Sequence, residues 1–392
     1  MPAMLDVVIV GGGPVGTFLG CLLTAAGLKV RVLEARAELD GHSRAIGIHP
    51  PALQAFARIG LADRIIAAGT RIDTGVLRSR GSTVGTLSLA TASPKFPFVL
   101  ALPQNATQRL LEDRLHRLAP AAMQRGRTVT GIRRIDAGWE VAVAGDGQSL
   151  SARCVIGADG ARSRMRGWLG IAARPQDYPD TYLMGDFADS AGAADRTSAI
   201  IHLEPGGVVE SFPLPGGIRR WVVRTPSLQQ TARPYDLAEL IRIRTGEAVA
   251  AETSTMISAF AVRRAVAERM VAEQKSPGNG CAMLIGDAAH ELSPIGGQGM
   301  NLGWLDAAAL APMLVDLLRG VGDRRIREDE LPDFERTRLR SARIAARRAE
   351  LNMALGRRTP PVLVGIRDAG FRLALRSPAR EALVGAFTMR GL

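Results

Sequence analysis

The stretch Asp6-Val7-Val8-Ile9-Val10-Gly11-Gly12-Gly13-Pro14-Val15-Gly16 decides the fold. Asp6 to Val10 is a short β-branched run that stops at Gly11, and Pro14 to Ala26 continues as a helical segment without a breaker. Lys29 to Leu33 alternates, carries Val30 and Val32, and stops at Glu34. The opening of the chain is therefore one βαβ unit, which implies a parallel sheet. Within the G-x-G-x-x-G pattern, Gly11 makes the tight turn, Gly13 lets a pyrophosphate approach the backbone, and Gly16 lets helix and strand pack closely. The helix start around Val15 then offers free N–H groups and the positive end of a dipole. Glu34, 18 residues beyond Gly16, stands where a carboxylate accepts from an adenosine ribose. Arg36 is open to either of two roles, reaching the adenosine part or lying on the surface.

Working outward, Pro51 to Ala67 and Thr107 to Leu118 have helical spacing, while Gly138 to Val143 and Arg153 to Ile156 have the texture of strands. From about Leu169 to Ala261 the pattern changes to short strands separated by Gly-Gly and Pro-Gly turns, among them Ser198 to Leu203, Val208 to Phe212 and Arg220 to Arg224. Parallel texture returns at Cys281 to Ile285, followed by a long apolar helix from about Leu302 to Leu318. The nucleotide domain is thus expected in pieces, residues 1–70, 100–168 and 275–330, with a mainly β substrate domain from 71–99 and 169–274 and a helical region over 331–392.

With 392 residues, 46% of them hydrophobic, the chain can bury a large core. No apolar run approaches the roughly 18 residues of a membrane span and no charged leader precedes the first strand, so a cytoplasmic protein is expected. Cys21, Cys154 and Cys281 lie far apart inside apolar stretches, which favours buried thiols over a disulfide or a metal site. The net charge of +12 is an arginine effect, because the lysines are only Lys29, Lys95 and Lys275. From Arg324 onward there are 16 arginines against 8 acids. Aromatics at 4% and the lack of a nucleic-acid-reading motif exclude nucleic acid as the partner. On a helix, Arg336, Arg340, Arg343 and Arg347 form one stripe with Arg338 and Arg348 off it, and the opposite side is mostly alanine, which is too slight for a membrane-bound helix. The tail is expected to pack on the nucleotide domain without membrane contact.

Two further segments carry a resemblance. Asp159-Gly160 within Cys154 to Arg166 resembles the Asp-Gly signature of the flavoprotein aromatic hydroxylases, and Leu284 to Asn301, with Gly286-Asp287 and Gly296-Gly297-Gln298-Gly299-Met300-Asn301, resembles their Gly-Asp signature. With the glycine loop, all three signatures stand in that family's order. The chain is similar to single-component FAD-dependent monooxygenases of the para-hydroxybenzoate hydroxylase-like family. The fold implied is α/β, a Rossmann-type (glutathione-reductase-like) FAD domain with an inserted mainly β substrate domain and C-terminal helices. Asp287, at the end of a buried strand, can accept from a ribityl hydroxyl. Gly299, Met300 and Asn301 can turn backbone N–H groups to the flavin edge, and the Pro294 segment lines the reactive flavin face. By resemblance, Arg44 and Gln104 contact the flavin cofactor and Asp159 lies near its pyrophosphate and ribityl region, with a part for Arg162 and Arg166 in fixing that loop. His290 reads as a structural histidine beside the cofactor.

The resemblance implies FAD as cofactor, NAD(P)H as a transient reductant, dioxygen as co-substrate and no metal. Oxygen transfer would run through a flavin C4a-hydroperoxide onto an aromatic or quinone-like small molecule. A second G-x-G-x-x-G for NAD(P)H and a redox cysteine pair are both lacking. Pocket residues are expected near Tyr182 to Phe187, Ile200 to Leu203, Glu210 to Leu214 and Trp221 to Arg224. Two other functions share these motifs: a flavin-dependent reductase of prenyl double bonds and a flavin-binding protein without turnover.

Overall fold

A computed structural model describes residues 4–39, 45–145, 149–190, 192, 195–273, 280–320 and 324–392. At its centre the strand Leu5–Val10 pairs in parallel with Val30–Glu34 on one side and Ser149–Gly157 on the other. Met123–Arg125 extends the first side in parallel. Ser149–Gly157 is long enough to pair with Cys281–Leu284 in parallel at one end and with the antiparallel ribbon Val129–Ile135/Gly138–Val143 at the other. Val7, Val8, Ile9, Val155, Ile156 and Met283 are fully buried, as expected for strands covered on both faces. The covers are the helices Pro14–Ala25 and Gln298–Arg319 on one side, where Phe18, Phe56 and Trp304 meet edge to face.

Three sequence expectations change here. The helical spacing of Pro51 to Ala67 resolves into two helices, Pro50–Ala57 and Ala62–Ala68, because the chain turns through Gly60 at φ +66°. The apolar helix begins four residues before Leu302, at Gln298, since the polar and glycine residues of its first turn hide its start from a hydrophobic pattern. Cys154 and Cys281, expected as buried thiols, form a disulfide. They lie 127 positions apart yet side by side in neighbouring parallel strands, a register that sequence spacing cannot display. Cys21 stays a buried free thiol.

The inserted region builds an eight-stranded sheet that runs, edge to edge, His290–Glu291, Met256–Ala267, Ala173–Ala188, Ile218–Thr225, Gly207–Leu214, Ser198–Glu204, Thr74–Ser79 and Ser82–Ser88. The helix Pro234–Thr245 covers one face, burying Leu237 and Ile241 against Phe187, Val209, Trp221 and Val223. The opposite face looks toward the nucleotide-type sheet across a cavity.

The C-terminal region departs from expectation in one respect. The helix Arg324–Leu355 does lie on Gln298–Arg319, with Ala342, Ala345, Ala346 and Ala349 buried and Arg336, Arg340, Arg343 and Arg347 exposed. Small residues on the inner side allow that close approach. Beyond it, Gly356 accepts from the Val208 amide at 2.9 Å, and the helices Pro361–Arg376 and Ala379–Phe387 cross to the strand Ser82–Ser88. The tail therefore runs from the covering helix to the far edge of the eight-stranded sheet. Arg357 fastens it, donating to Asp180 at 2.7 Å, while Arg224 holds the same carboxylate at 3.0 Å. Burial opposes charge on Asp180, yet the two guanidiniums keep its carboxyl below the usual range. Among the described residues, Gln298–Arg319 is the one helix long and apolar enough to cross a membrane, and 61% of that window is buried inside the protein.

Candidate active site

The glycine loop has three different reasons for its glycines. Gly11 sits at φ +107°, and a Cβ there would stand 2.3 Å from the Ala158 carbonyl oxygen. A Cβ on Gly16 would lie 2.0 Å from the Gly11 carbonyl oxygen, so this glycine serves the packing of the turn itself. Gly13 is unlike both, since a Cβ there would meet nothing within 4 Å. Its exposed backbone heads the helix Pro14–Ala25 and borders the cavity together with Pro14 and Val15.

Beside the loop is a small recess of about 110 Å³ walled by Gly13, Glu34, Arg36, Gln104, Gln108 and Arg125. Glu34 accepts from the Gly12 amide at 2.8 Å and from the Arg36 amide at 3.0 Å, which fixes the end of its strand against the loop. Sequence reasoning missed Gln108 and Arg125. Gln108 donates to the Gly12 carbonyl at 2.8 Å and to Thr17 Oγ1 at 3.0 Å, leaving its buried Oε1 without a partner. Arg125 is paired with Glu112. The only sequence signal for Gln108 was its place one turn beyond Gln104 on a helix facing the loop.

Asp287 follows the strand Cys281–Leu284 in a single 3-10 turn, Gly286–Ala288. Its side chain is exposed to the main cavity, and desolvation by the cavity's protein walls pushes its carboxyl up to about 6. His290 opposes the rise, and Glu291 and Asp306 add to it. Asp306, on the covering helix and fully buried, anchors the turn from behind. Its Oδ2 accepts from the Gly286 amide at 3.0 Å and contacts His290 Nε2 at 2.6 Å, and its Oδ1 accepts from Arg338 Nε at 2.7 Å. Burial alone would lower His290, but the Asp306 carboxylate holds it above the usual imidazole value. His290 thus belongs to a buried ion network behind the turn, and Arg338, off the exposed arginine stripe, completes that network.

Past the turn, Leu292 to Gly297 lines the cavity, Pro294 included, and Gly297 at φ +64° starts the helix Gln298–Arg319. Gly299 and Met300, in its first turn, border the cavity, where amides without helical acceptors and the helix dipole favour negative charge. Asn301 lies behind them, fully buried. Its Oδ1 accepts from the His49 amide at 2.9 Å, and its Nδ2 donates to the Gly47 and Gly297 carbonyls at 2.8 Å each. His49, a cavity residue that the sequence did not single out, is 3% exposed with Nδ1 unpartnered, and burial pushes it down to about 4.

The remaining expected site residues divide. Gln104 borders both the recess and the main cavity. Asp159 does not line either, although its neighbours Ala158 and Gly160 do. Its carboxylate accepts from Ser163 Oγ at 2.6 Å and from the Arg164 and Met165 amides at 2.8 and 3.0 Å, capping the short helix Arg164–Trp168. Arg166 braces the same region by donating to the Ala288 carbonyl at 3.0 Å. Arg44 lies outside the described residues.

The main cavity measures about 610 Å³ and runs from the glycine loop, past Asp287 and the Pro294 segment, to the inner face of the eight-stranded sheet. Of the strand stretches expected to supply the pocket, Met184, Ile201, Leu203, Glu210, Phe212 and Val222 face it. The open Gly13, the unpartnered Gln108 and His49 atoms and the helix-start amides together fit a long ligand with an anionic middle and a flat, hydrogen-bonding head.

Comparison with known proteins agrees with this geometry. A family model described as an FAD binding domain matches residues 4–349. The chain is 33% identical over 309 residues to a rifampicin monooxygenase of Streptomyces venezuelae, covering 78% of this chain and 62% of that protein. It is 32% identical over 339 residues to a 6-methylpretetramide 4-monooxygenase of Streptomyces rimosus, covering 82% and 58%. The chain therefore spans about three-fifths of the length of these relatives. Among solved structures, p-nitrophenol 4-monooxygenase from Pseudomonas putida DLL-E4 matches at a TM-score of 0.86 and 23% identity over 100% of both chains, a likeness of fold.

Proposed function

This chain belongs to the FAD binding domain family, and from that premise we propose that it is an NAD(P)H-reduced monooxygenase that adds one oxygen atom to an aromatic or quinone-like small molecule. What carries the reading is the continuity of the cavity, which joins the glycine loop and the Asp287 turn to an apolar sheet face without a wall between them. FAD, when bound, supplies acceptance of hydride from NAD(P)H and activation of dioxygen.

The protein's own groups supply the rest. Gly13 and the helix start receive the diphosphate, with Glu34, Arg36 and Gln104 at the adenosine end. Asp287 holds the ribityl chain, and its raised carboxyl suits a hydrogen bond in the crowded turn. Amides of Gly299 and Met300 stabilise negative charge on the ring, and the Pro294 segment covers the side facing the sheet. The apolar walls exclude water from the reacting atoms. Arg44 is proposed to contact the flavin cofactor, and Asn301 and Asp159 to support this cradle through the loops they tie. The need for NAD(P)H supports a cytoplasmic setting, and the relatives' named compounds support a multi-ring aromatic substrate in secondary metabolism.

Heat release and chromatography of the bound flavin test the cofactor, and FMN or no flavin overturns the assignment. Turnover under labelled dioxygen tests the reaction. One labelled atom in the product is expected, and a product without label would leave reduction of a double bond as the activity.

A further inference from the structure

Five cross-strand neighbours make the middle row of the sheet face under the cavity: Leu77, Ile201, Glu210, Val222 and Met184. Four are apolar and one is a carboxylate. Strand alternation sends Val208, Glu210 and Phe212 to the cavity, while Val209 goes to the helix-covered face. Among the described residues the Glu210 carboxylate makes no hydrogen bond and no ion pair.

The charges around it are otherwise engaged. Arg220, two positions from Val222 on the next strand, donates to both oxygens of Asp186 at 2.6 and 2.7 Å. Arg224 and Arg357 share Asp180. Tyr182, one strand further on and fully buried, has an unpartnered hydroxyl, and the nearby Glu210 charge helps burial to raise it. On the facing walls stand Asp287 and His49, the latter kept neutral by burial. The described lining thus offers an uncompensated carboxylate and no uncompensated cation.

Resting on the reading of this cavity as the substrate site, we propose that Glu210 selects and orients the substrate by accepting the hydrogen of an aromatic hydroxyl, so that the protein takes phenols in preference to their ethers and to carboxylates. A phenol held this way presents a ring richer in electrons, which suits attack by an electrophilic oxygen. Burial pushes the Glu210 carboxyl up to about 7, so near neutrality it loses its O–H donor and becomes a charged group that only accepts. Phenol binding should tighten, and carboxylate binding weaken, as pH rises through that value.

The test is equilibrium binding to the oxidised holoenzyme, read from perturbation of the flavin spectrum, with 2-naphthol, 2-methoxynaphthalene and 2-naphthoate as matched probes. At about pH 8.5, above the carboxyl's titration, 2-naphthol should bind at least about tenfold more tightly than either of the others. Glu210→Leu should erase the preference for naphthol over its ether, and Glu210→Gln should recover about tenfold in naphthoate affinity. Both variants remove a buried charge, so FAD content and melting temperature should not fall. Equal binding of all three probes by the natural protein, no binding of any, or an unchanged preference in Glu210→Leu would overturn the proposal. Binding needs no turnover, so a wrong assignment of Glu210 leaves FAD content and labelled-oxygen incorporation intact, whereas a wrong assignment of the enzyme removes those first.

Discussion

Replacing Gly13 and Gly16 separately by alanine should give opposite phenotypes from one motif. Gly13 has φ −71° and ψ −177°, which any residue adopts, and its added methyl meets no protein atom within 4 Å. As a helix-capping position it loses some tenths of a kcal/mol on going to alanine. The less flexible unfolded chain returns about 0.4–1 kcal/mol, so the FAD-free Gly13→Ala protein should unfold in urea within about 1 kcal/mol of the parent. The same methyl projects into the space where the diphosphate must lie against the backbone. FAD affinity should fall by at least about 100-fold, equivalent to ~2.7 kcal/mol. Gly16→Ala forces a methyl to 2.0 Å from the Gly11 carbonyl oxygen, and the loop has to move. Overpacking of that kind costs about 3 kcal/mol, visible in the apoprotein before any flavin is added. Urea unfolding and a flavin-fluorescence titration measure the two quantities. If Gly13→Ala destabilised the apoprotein as much as Gly16→Ala, or bound FAD like the parent, the division of labour within the loop would be refuted.

Arg338→Ala should lower stability by about 3–5 kcal/mol, because it leaves Asp306 buried without its second partner; thermal unfolding close to that of the parent would mean that His290 alone satisfies the carboxylate. Thiol titration of the denatured protein should find one reactive cysteine without reductant and three with it, and three in both cases would return Cys154 and Cys281 to the thiol form. Glu210 is raised from 4.5 to about 7 in the folded protein, so its contribution to stability is fully present below its unfolded value and lost as pH rises through the folded one. Glu210→Gln should therefore match the FAD-free parent near pH 4 and exceed it near pH 8 by about 2 kcal/mol, after allowance for water in the cavity, and parallel stability curves for the two proteins across that range would show that the carboxyl is not perturbed.

The geometry of the glycine loop was legible because it is local. Gly11, Gly13, Gly16 and Glu34 sit within a single βαβ unit, where spacing along the chain equals position in space. The Asp287 turn was legible for the same reason, a buried strand followed at once by its glycine and carboxylate. Interactions spanning the chain escaped. Asp306 met Arg338 across two helices 32 positions apart, the Cys154–Cys281 pair needed the order of parallel strands, and His49 found Asn301 at a separation of 252. The start of the long helix escaped for a different cause, since its first turn is built of residues with poor helical propensity held by the αL residue Gly297.

The sheet-facing half of the cavity fails to announce itself because its lining is set by strand pairing. Backbone amides in a tight loop are exposed by glycines at fixed offsets, which a sequence displays directly. Side chains on a sheet face become neighbours only through cross-strand register, as Leu77, Ile201, Glu210, Val222 and Met184 do from five different stretches of sequence. Shifting one of those strands by a single residue would turn Glu210 to the helix-covered face and bring Val209 into the cavity. The sequence stretches expected to form the pocket were therefore the right strands, but only the pairing selects which alternate residues look inward. The C-terminal tail adds a further long-range constraint, because Gly356 bonds to Val208 two residues from Glu210 on the same strand. Arg357 of the tail also holds Asp180, a carboxylate it shares with Arg224, so the tail is tied both to the strand of Glu210 and, through Asp180, to the strand Ala173–Ala188.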